Sequence, residues 1–450
     1  MAAPASGGSG LGEYLAAVRQ FSRNARLYLI HILGMDLIHG TWEVLFNLYL
    51  LALFTPTHGV TLFGSHVHAV EFVGLRLAVG ALAGGVTSVP AGLLSDRIGR
   101  KASFILGDGL GALIALLNIL VVDPVFLLLT PIVGSFAGSL HHVSETAFMA
   151  ENSAPRERVH LFSVGSSLAV GVGMVGSLIA AAHPAFVAWI GEQLTAYRVA
   201  SFFGIALWFL SLIPALLLRE ERTPSQLAAA SGGPTRVKIG LGSIRHPALV
   251  ARLVVCGALL SVGYSSALPF LNVFFHEHLH AGEAEIGVTF AGVAGFVALG
   301  ALFAPFVAAR FGKVQGVVLT RLLSVPFVFG LAFMGVDAEP AAVGLSLAGA
   351  FVALRALLMN LSVPLAEAFA MEVLDPSERA TMVGIESAAG SALRAGAAVL
   401  GSGWMARGDF QSPFLLAAGC YLLATALFWL FFRGAEPARQ EALEPARSPA

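Results

Sequence analysis

Charge is scarce in this sequence. Only 12% of its 450 residues are Asp, Glu, Lys or Arg, about half of what a soluble domain carries. A chain of this length without a charged skin is neither a soluble enzyme nor a disordered segment. Cysteine is nearly missing: Cys256 and Cys420 lie in apolar runs, which excludes a disulfide scaffold. Three lysines (Lys101, Lys238, Lys313) stand against 23 arginines, and with 50 glycines this suggests a GC-rich bacterial genome. The formal net charge is −1, so no basic field argues for nucleic acid as a partner. No Walker loop and no G-x-S-x-G are present, so neither ATP nor a serine nucleophile is expected to drive the chemistry.

Apolar length is abundant instead. Hydrophobic residues make up 57% of the chain, and mean hydropathy is +0.81. A bilayer core about 30 Å thick takes about 20 helical residues to cross. Twelve runs of that order are read at 27–54, 70–94, 102–122, 125–150, 161–182, 197–218, 248–275, 286–309, 314–336, 341–371, 383–404 and 413–432. The expected fold is an all-α membrane protein with the lipid bilayer as its solvent. The first run is too long for a signal-peptide core. Twenty of the basic residues fall in the termini or by the loops after even-numbered spans, and two (Arg198, Arg407) on the other side. Both termini are therefore expected in the cytoplasm, in a bacterial inner membrane.

The chain divides into a cytoplasmic segment 1–26, a six-helix bundle 27–218, a linker 219–247, a second bundle 248–432 and a tail 433–450. The bundles echo each other. Ala147 to Arg158 closes span 4 and Ala368 to Arg379 closes span 10, matching at six of twelve positions. Asp96-Arg97-Ile98-Gly99-Arg100 after span 2 answers Ala309-Arg310-Phe311-Gly312-Lys313 after span 8. Twelve helices in two pseudo-symmetric six-helix bundles are a transporter pattern, because alternating access needs two bodies rocking about a central site.

At Gly92-Leu93-Leu94-Ser95-Asp96-Arg97-Ile98-Gly99-Arg100-Lys101 the sequence resembles the major facilitator superfamily, whose signature loop reads G-x-L-x-D-R-x-G-R-K. Twelve spans, a central linker and a degenerate second copy extend the resemblance over nearly the whole chain. It implies a gating role for Gly92, Asp96, Arg97, Gly99, Arg100 and Glu151 on the cytoplasmic side, and a central cavity lined by spans 1 and 4. Chemically, Gly92 allows close helix packing, Gly99 a tight turn, and Asp96 a bond to a helix N-terminus. Arg100 can pair with Glu151. The family's drug antiporters often carry an arginine in span 4 and Gly-Pro in span 5. This chain has His141-His142 and no proline there.

Ionisable residues within spans are costly and therefore candidates for function. Asp36, His39, Glu43 and Asn47 share one face of span 1, with Gly40 on the same stripe. Span 4 holds His141, His142 and Glu145, with His141 and Glu145 four apart on one face. An imidazole beside a carboxylate suits proton carriage near neutral pH, so Asp36, His39, Glu43, His141 and Glu145 are the expected ion-coupling set. Asn47, His142, Tyr264, Arg355 and Asn360 are the expected solute contacts, and a midplane Arg355 suits an anionic group. Arg394 is expected to pair internally, near Glu386. Asp108 and Glu367 are expected to have structural partners.

Two motifs mislead. His276-Glu277-His278-Leu279-His280 matches HExxH but ends span 7 on the outside. Gly171-x-Gly173-x-x-Gly176 matches a dinucleotide fingerprint but lies inside span 5, where small residues serve helix packing. The sequence thus reads as a monomeric secondary transporter, not an enzyme. It is expected to move a small organic solute by alternating access, with the proton motive force and no cofactor. Three rivals stand: a divalent transition-metal transporter with Asp36, His39 and His141 as ligands, an exporter of amphiphilic drugs or lipids, and a zinc enzyme using His276, Glu277 and His280.

Overall fold

A computed structural model describes residues 20–57, 59–153, 155–220, 244–335 and 341–434. Most of the linker 219–247, of the segment 1–26 and of the tail 433–450 lies outside the described residues. The described chain is helical almost throughout, and its long helices begin and end on local signals. In the first repeat α1 is Arg23–Phe54, α2 Ala69–Ile98, α3 Arg100–Leu120, α4 Pro124–Glu151, α5 Pro155–Ala181 and α6 Gln193–Leu216. In the second, α7 is Pro247–Ala267, α8 Glu283–Phe311, α9 Lys313–Leu331, α10 Ala341–Val373, α11 Pro376–Met405 and α12 Gln411–Phe432. Ser22 caps α1 through the Ala25 N–H, and Asp123 caps α4 with Pro124 as its first residue. Gly99 and Gly312 take φ of +92° and +81°, so the chain turns at the same place after α2 and after α8. Among the described residues ten helices are long and apolar enough to cross a membrane.

Two local features depart from the sequence expectation, and a third, a break in span 7, falls where Pro269 is expected to bend the helix. A two-stranded hairpin, β1 (Val60–Leu62) and β2 (Ser65–Val67), follows α1 where only a loop is expected. A short helix, His183–Ile190, precedes α6. Span 7 is not one helix: α7 stops at Ala267, a 3-10 turn carries Pro269, and a wide turn runs over Phe274–His278. Pro269 has no N–H to continue the ladder, so this break is legible in the sequence.

Packing repeats between the halves. Helix α1 packs on α5 and α6, and α3 on α4 and α6; correspondingly α7 packs on α11 and α12, and α9 on α10 and α12. The chain forms two compact units, Met1–Val237 with Phe275–Gly295, and Lys238–Phe274 with Phe296–Ala450. The segment Phe275–Gly295 belongs with the first unit, although its sequence position is in the second bundle. Gly287 lies against the Ala181 backbone, and Glu283 accepts from the Tyr197 hydroxyl and from Gln193.

The α1–α5 contact depends on missing side chains. A Cβ at Gly40 would collide with the Gly173 carbonyl oxygen, and one at Gly176 with the Leu37 carbonyl. Gly40 therefore sits in a closed contact and not on the open stripe expected of it. Close approach lets Thr41 Oγ1 donate to Gly176 O at 3.1 Å and Ser177 Oγ to Gly40 O at 3.3 Å. Gly171 has nothing within 4 Å of such a Cβ. Gly40→Ala is expected to force the helices apart and cost about 1–3 kcal/mol, while Gly171→Ala is silent; thermal unfolding in detergent measures both.

Candidate functional site

Among the described residues of the first repeat, the Asp108 carboxyl group is bonded by side chains of three other helices. It sits on α3 at 1% exposure, between His31 of α1 (0%) and His141 of α4 (1%). Its Oδ2 accepts from His31 Nε2 at 2.9 Å and from His141 Nδ1 at 2.8 Å. Trp208 of α6 donates its indole N–H to Oδ1 at 3.3 Å. His31 Nδ1 lies 2.7 Å from the Ser211 carbonyl oxygen. Both ring nitrogens of His31 thus face oxygens, one a backbone carbonyl and the other the Asp108 carboxyl group. His141 donates from Nδ1, leaving Nε2 turned to the Tyr28 hydroxyl at 3.4 Å, with Glu145 beside that hydroxyl.

Four helices thus meet on one carboxylate. The sequence reading gave Asp108 only structural partners and did not single out His31. The pairing of His141 with Glu145 also differs from expectation. Glu145 instead faces His142, whose Nδ1 lies 3.6 Å from it, while His141 is turned inward to Asp108. A 3.6-residue helix puts residues three and four apart on the same side, so spacing alone could not choose between the two.

The stripe on α1 has the expected layout. Asp36 and Asn47 are half-buried, and His39 and Glu43 are exposed, while the rest of the helix between them is mostly buried. Asp36 lies in electrostatic range of His141, Glu145, His142 and Asp108 but bonds none of them. The ring of His39 lies 5.8 Å from that of Trp208. The expected metal set of Asp36, His39 and His141 does not come together. The donors that converge on the N-terminal side are His31, Asp108 and His141, within 4.8 Å of one another.

The signature loop forms a compact cluster where α2 ends, α3 begins and α4 ends. Arg100 Nη1 donates to Asp96 Oδ1 at 3.0 Å and to Ser95 Oγ at 2.8 Å, and its Nε lies 3.8 Å from Glu151. Lys313 pairs with Glu372 at the matching place in the second repeat. Two expectations change here. The N-terminus of α3 is met not by Asp96 but by Glu220, which accepts from the Arg100 backbone N–H. Gly92 has ordinary room, since a Cβ would meet only Val143 Cγ1 at 3.7 Å. Glu378 does for α7 what Glu220 does for α3. It accepts from the backbone of Arg245 and, at 2.7 Å, of His246. These N–H bonds hold its carboxyl below the usual range.

The sequence model of the Major Facilitator Superfamily matches residues 43–362. The chain belongs to that superfamily. Solved structures agree in fold. A mutant of the nucleoside transporter NupG is 15% identical with a TM-score of 0.69, covering 91% of this chain and 100% of its own. A bacterial homologue of the human lysosomal transporter Spinster is 15% identical with a TM-score of 0.63, covering 92% and 98%. A D-xylose–proton symporter is 14% identical with a TM-score of 0.64, covering 90% and 97%. At such identities the likeness is one of fold. No relative among curated proteins matches. Superfamily membership makes the protein a secondary transporter and not an enzyme. The HExxH run agrees: it lies in a wide turn, His280 has φ +54°, and His276 Nδ1 faces the Ala281 carbonyl at 3.3 Å.

In the second repeat of this superfamily member, Arg321 of α9 takes the place of Asp108. Each stands eight residues after the basic residue that opens its helix, Arg100 or Lys313. Arg321 Nε donates to Ser362 of α10 at 3.2 Å, and its guanidinium lies 5.4 Å over the ring of Phe428 of α12. Ser362 stands ten residues before Glu372, as His141 stands ten before Glu151. Arg355 is buried and donates to the Tyr421 hydroxyl at 3.3 Å. Asn360 bonds its own helix at Ala356 O, and Tyr264 is about half exposed. Arg394 binds Ser391 at 2.8 Å and makes no ion pair with Glu386 among the described residues.

Glu220→Ala removes the cap of α3 and is expected to cost about 1–2 kcal/mol of stability. Asp96→Ala, which removes an exposed pair, is expected to cost less than 1 kcal/mol. Thermal unfolding of the purified protein in detergent compares the two.

Proposed function

We propose that the protein is a proton-coupled carrier of a small organic solute, acting as a monomer in a bacterial inner membrane with both termini in the cytoplasm. The observation that carries the coupling is the Asp108 carboxylate held between two imidazoles. In this cluster His141 donates from Nδ1 to the Asp108 carboxyl group. His141 Nε2 is then the site for one further proton, and the Tyr28 hydroxyl, with Glu145 beyond it, offers a route to that nitrogen. Asp36, within electrostatic range, links the cluster to the open stripe of His39, Glu43 and Asn47. A solute that changes the charge felt by Asp36 therefore changes the proton affinity of His141. His142, Tyr264, Arg355 and Asn360 remain proposed solute contacts. Asp96, Arg97 and Arg100, with Glu151, are the proposed cytoplasmic gate.

A transition-metal carrier is the second reading, favoured by the same three converging donors. Bond lengths favour protons. Donors on a tetrahedral ion with bonds of about 2.0–2.1 Å stand roughly 3.3 Å apart. Here the Asp108 oxygen is 2.8 and 2.9 Å from the two ring nitrogens, the spacing of hydrogen bonds.

The test is a set of proteoliposomes loaded with a pH dye and challenged with nucleosides, sugars and organic anions. One solute class is expected to move protons, and Asp108→Asn or His141→Gln to abolish that movement. Solute flux with no proton movement in the unaltered protein overturns the coupling. Solute-driven proton movement that is unchanged in Asp36→Asn, Glu43→Gln removes the α1 carboxylates from it. Thermal stabilisation by Zn²⁺ or Mn²⁺ that is lost in His31→Ala moves the assignment to the metal carrier.

A further inference from the structure

The first unit encloses a cavity of about 190 Å³ whose walls come from α1, α2, α3, α4 and α6. It adjoins the Asp108 cluster, and its cationic wall is Arg76 of α2. Arg76 Nε donates to the Leu127 carbonyl at 3.1 Å, and Nη2 to Thr130 Oγ1 at 3.4 Å. Its guanidinium carbon lies 4.4 Å over the Phe46 ring. Phe46 in turn stacks on Trp42, with centroids 4.4 Å apart. The fork is thus fixed in place by an aromatic ladder and two oxygens. Among the described residues no carboxylate pairs with it. A guanidinium has five N–H donors, and three of these have no partner among the described residues.

A cation in a membrane span without a counter-charge is expensive. The other polar groups here do not supply one. Asp108 is committed to His31, His141 and Trp208. Trp42, also lining the cavity, has its indole Nε1 buried with no acceptor. The cavity therefore offers unused donors and one positive charge, with the faces of Trp42 and Trp208 at its sides. A planar anion with a compact apolar body matches that surface. A carboxylate can take two parallel bonds from the Arg fork, a geometry that a monatomic anion does not match.

We propose that this cavity binds the carboxylate of a small organic anion, with Arg76 as its bidentate anchor and the Trp42 indole N–H as a second donor. This names the solute class for the carrier and rests on the transporter reading above. Arg76 thus takes the anchoring role expected of Arg355, which lies against Tyr421.

Thermal shift and calorimetry on the full chain in detergent test it, with short monocarboxylates, aromatic carboxylates, chloride and inorganic phosphate as probes. A carboxylate is expected to bind, with affinity falling at least about tenfold in Arg76→Gln, the usual scale for losing charge-assisted bonds. Arg76→Lys is expected to restore only part of it. Trp42→Phe keeps an aromatic ring beside Phe46 but removes the indole N–H, and is expected to weaken binding several-fold while the protein still unfolds cooperatively. This variant keeps the test open if Arg76→Gln does not fold. Carboxylate binding indifferent to both positions overturns the site. Chloride or phosphate binding as tightly as any carboxylate overturns the solute class. Proton movement driven by a neutral solute alone, with no carboxylate binding, sinks this inference and leaves proton coupling standing. Carboxylate binding that depends on Arg76 but moves no protons does the reverse.

Discussion

A charge placed in a bilayer-spanning bundle must find its counterpart inside that bundle, because lipid offers none. Asp108 is where the first repeat meets this constraint. Its carboxylate draws α1, α4 and α6 onto α3 through His31, His141 and Trp208. Around that junction the packing is aromatic: Tyr28, Phe104 and Phe148 surround the two imidazoles. An unpaired carboxylate there would be untenable, so the histidines and the acid stabilise one another or not at all. The orientation of α1 follows. With His31 turned inward, His39 and Glu43 are left exposed and Asp36 and Asn47 half-buried along the stripe.

The closed side of α1 has a different cause. Gly40, Gly173 and Gly176 bring two backbones into contact, and hydroxyls of Thr41 and Ser177 bond across. Hydrophobicity does not drive helices together in lipid, so close backbone approach and interhelical bonds must do so. One helix therefore carries three different surfaces: an ionic seam toward α3 and α4, a glycine seam toward α5 and a polar stripe left open. Only the last of these shows in the sequence, as a stripe of polar residues; the ionic seam does not.

Much of this was legible in the sequence, for identifiable reasons. Spans declare themselves by length, the signature loop by fixed spacing, and the α1 stripe by a 100° periodicity. Those signals are local. The Asp108 junction is not local: His31 and His141 lie 77 and 33 residues away along the chain. Nothing in the run around Asp108 tells which helices will face it. Glu220 is hidden for the same reason, since it reaches the α3 N–H from beyond α6, whereas Asp96 looks suitable because it is near. On α4 the period of 3.6 left His141 and His142 equally able to face Glu145, and only the tertiary contact with Asp108 separated them. The break in span 7 could be read from Pro269, but the hairpin after α1 has no strong strand pattern.

Comparison of the repeats separates scaffold from chemistry. The same helices meet in both halves, the same glycine turn precedes α3 and α9, and the same basic–acidic pair stands beside that turn. At the centre of each junction the polarity is reversed. Asp108 with His141 and Trp208 in the first repeat becomes Arg321 with Ser362 and Phe428 in the second. An imidazole is a group that takes up and gives up protons, whereas a guanidinium keeps its charge. The repeats thus share a scaffold and differ in the side chain at one position, an acid between imidazoles in the first and a guanidinium beside a hydroxyl and a phenyl ring in the second. The proton coupling proposed for this protein is accordingly asymmetric and seated in the N-terminal repeat.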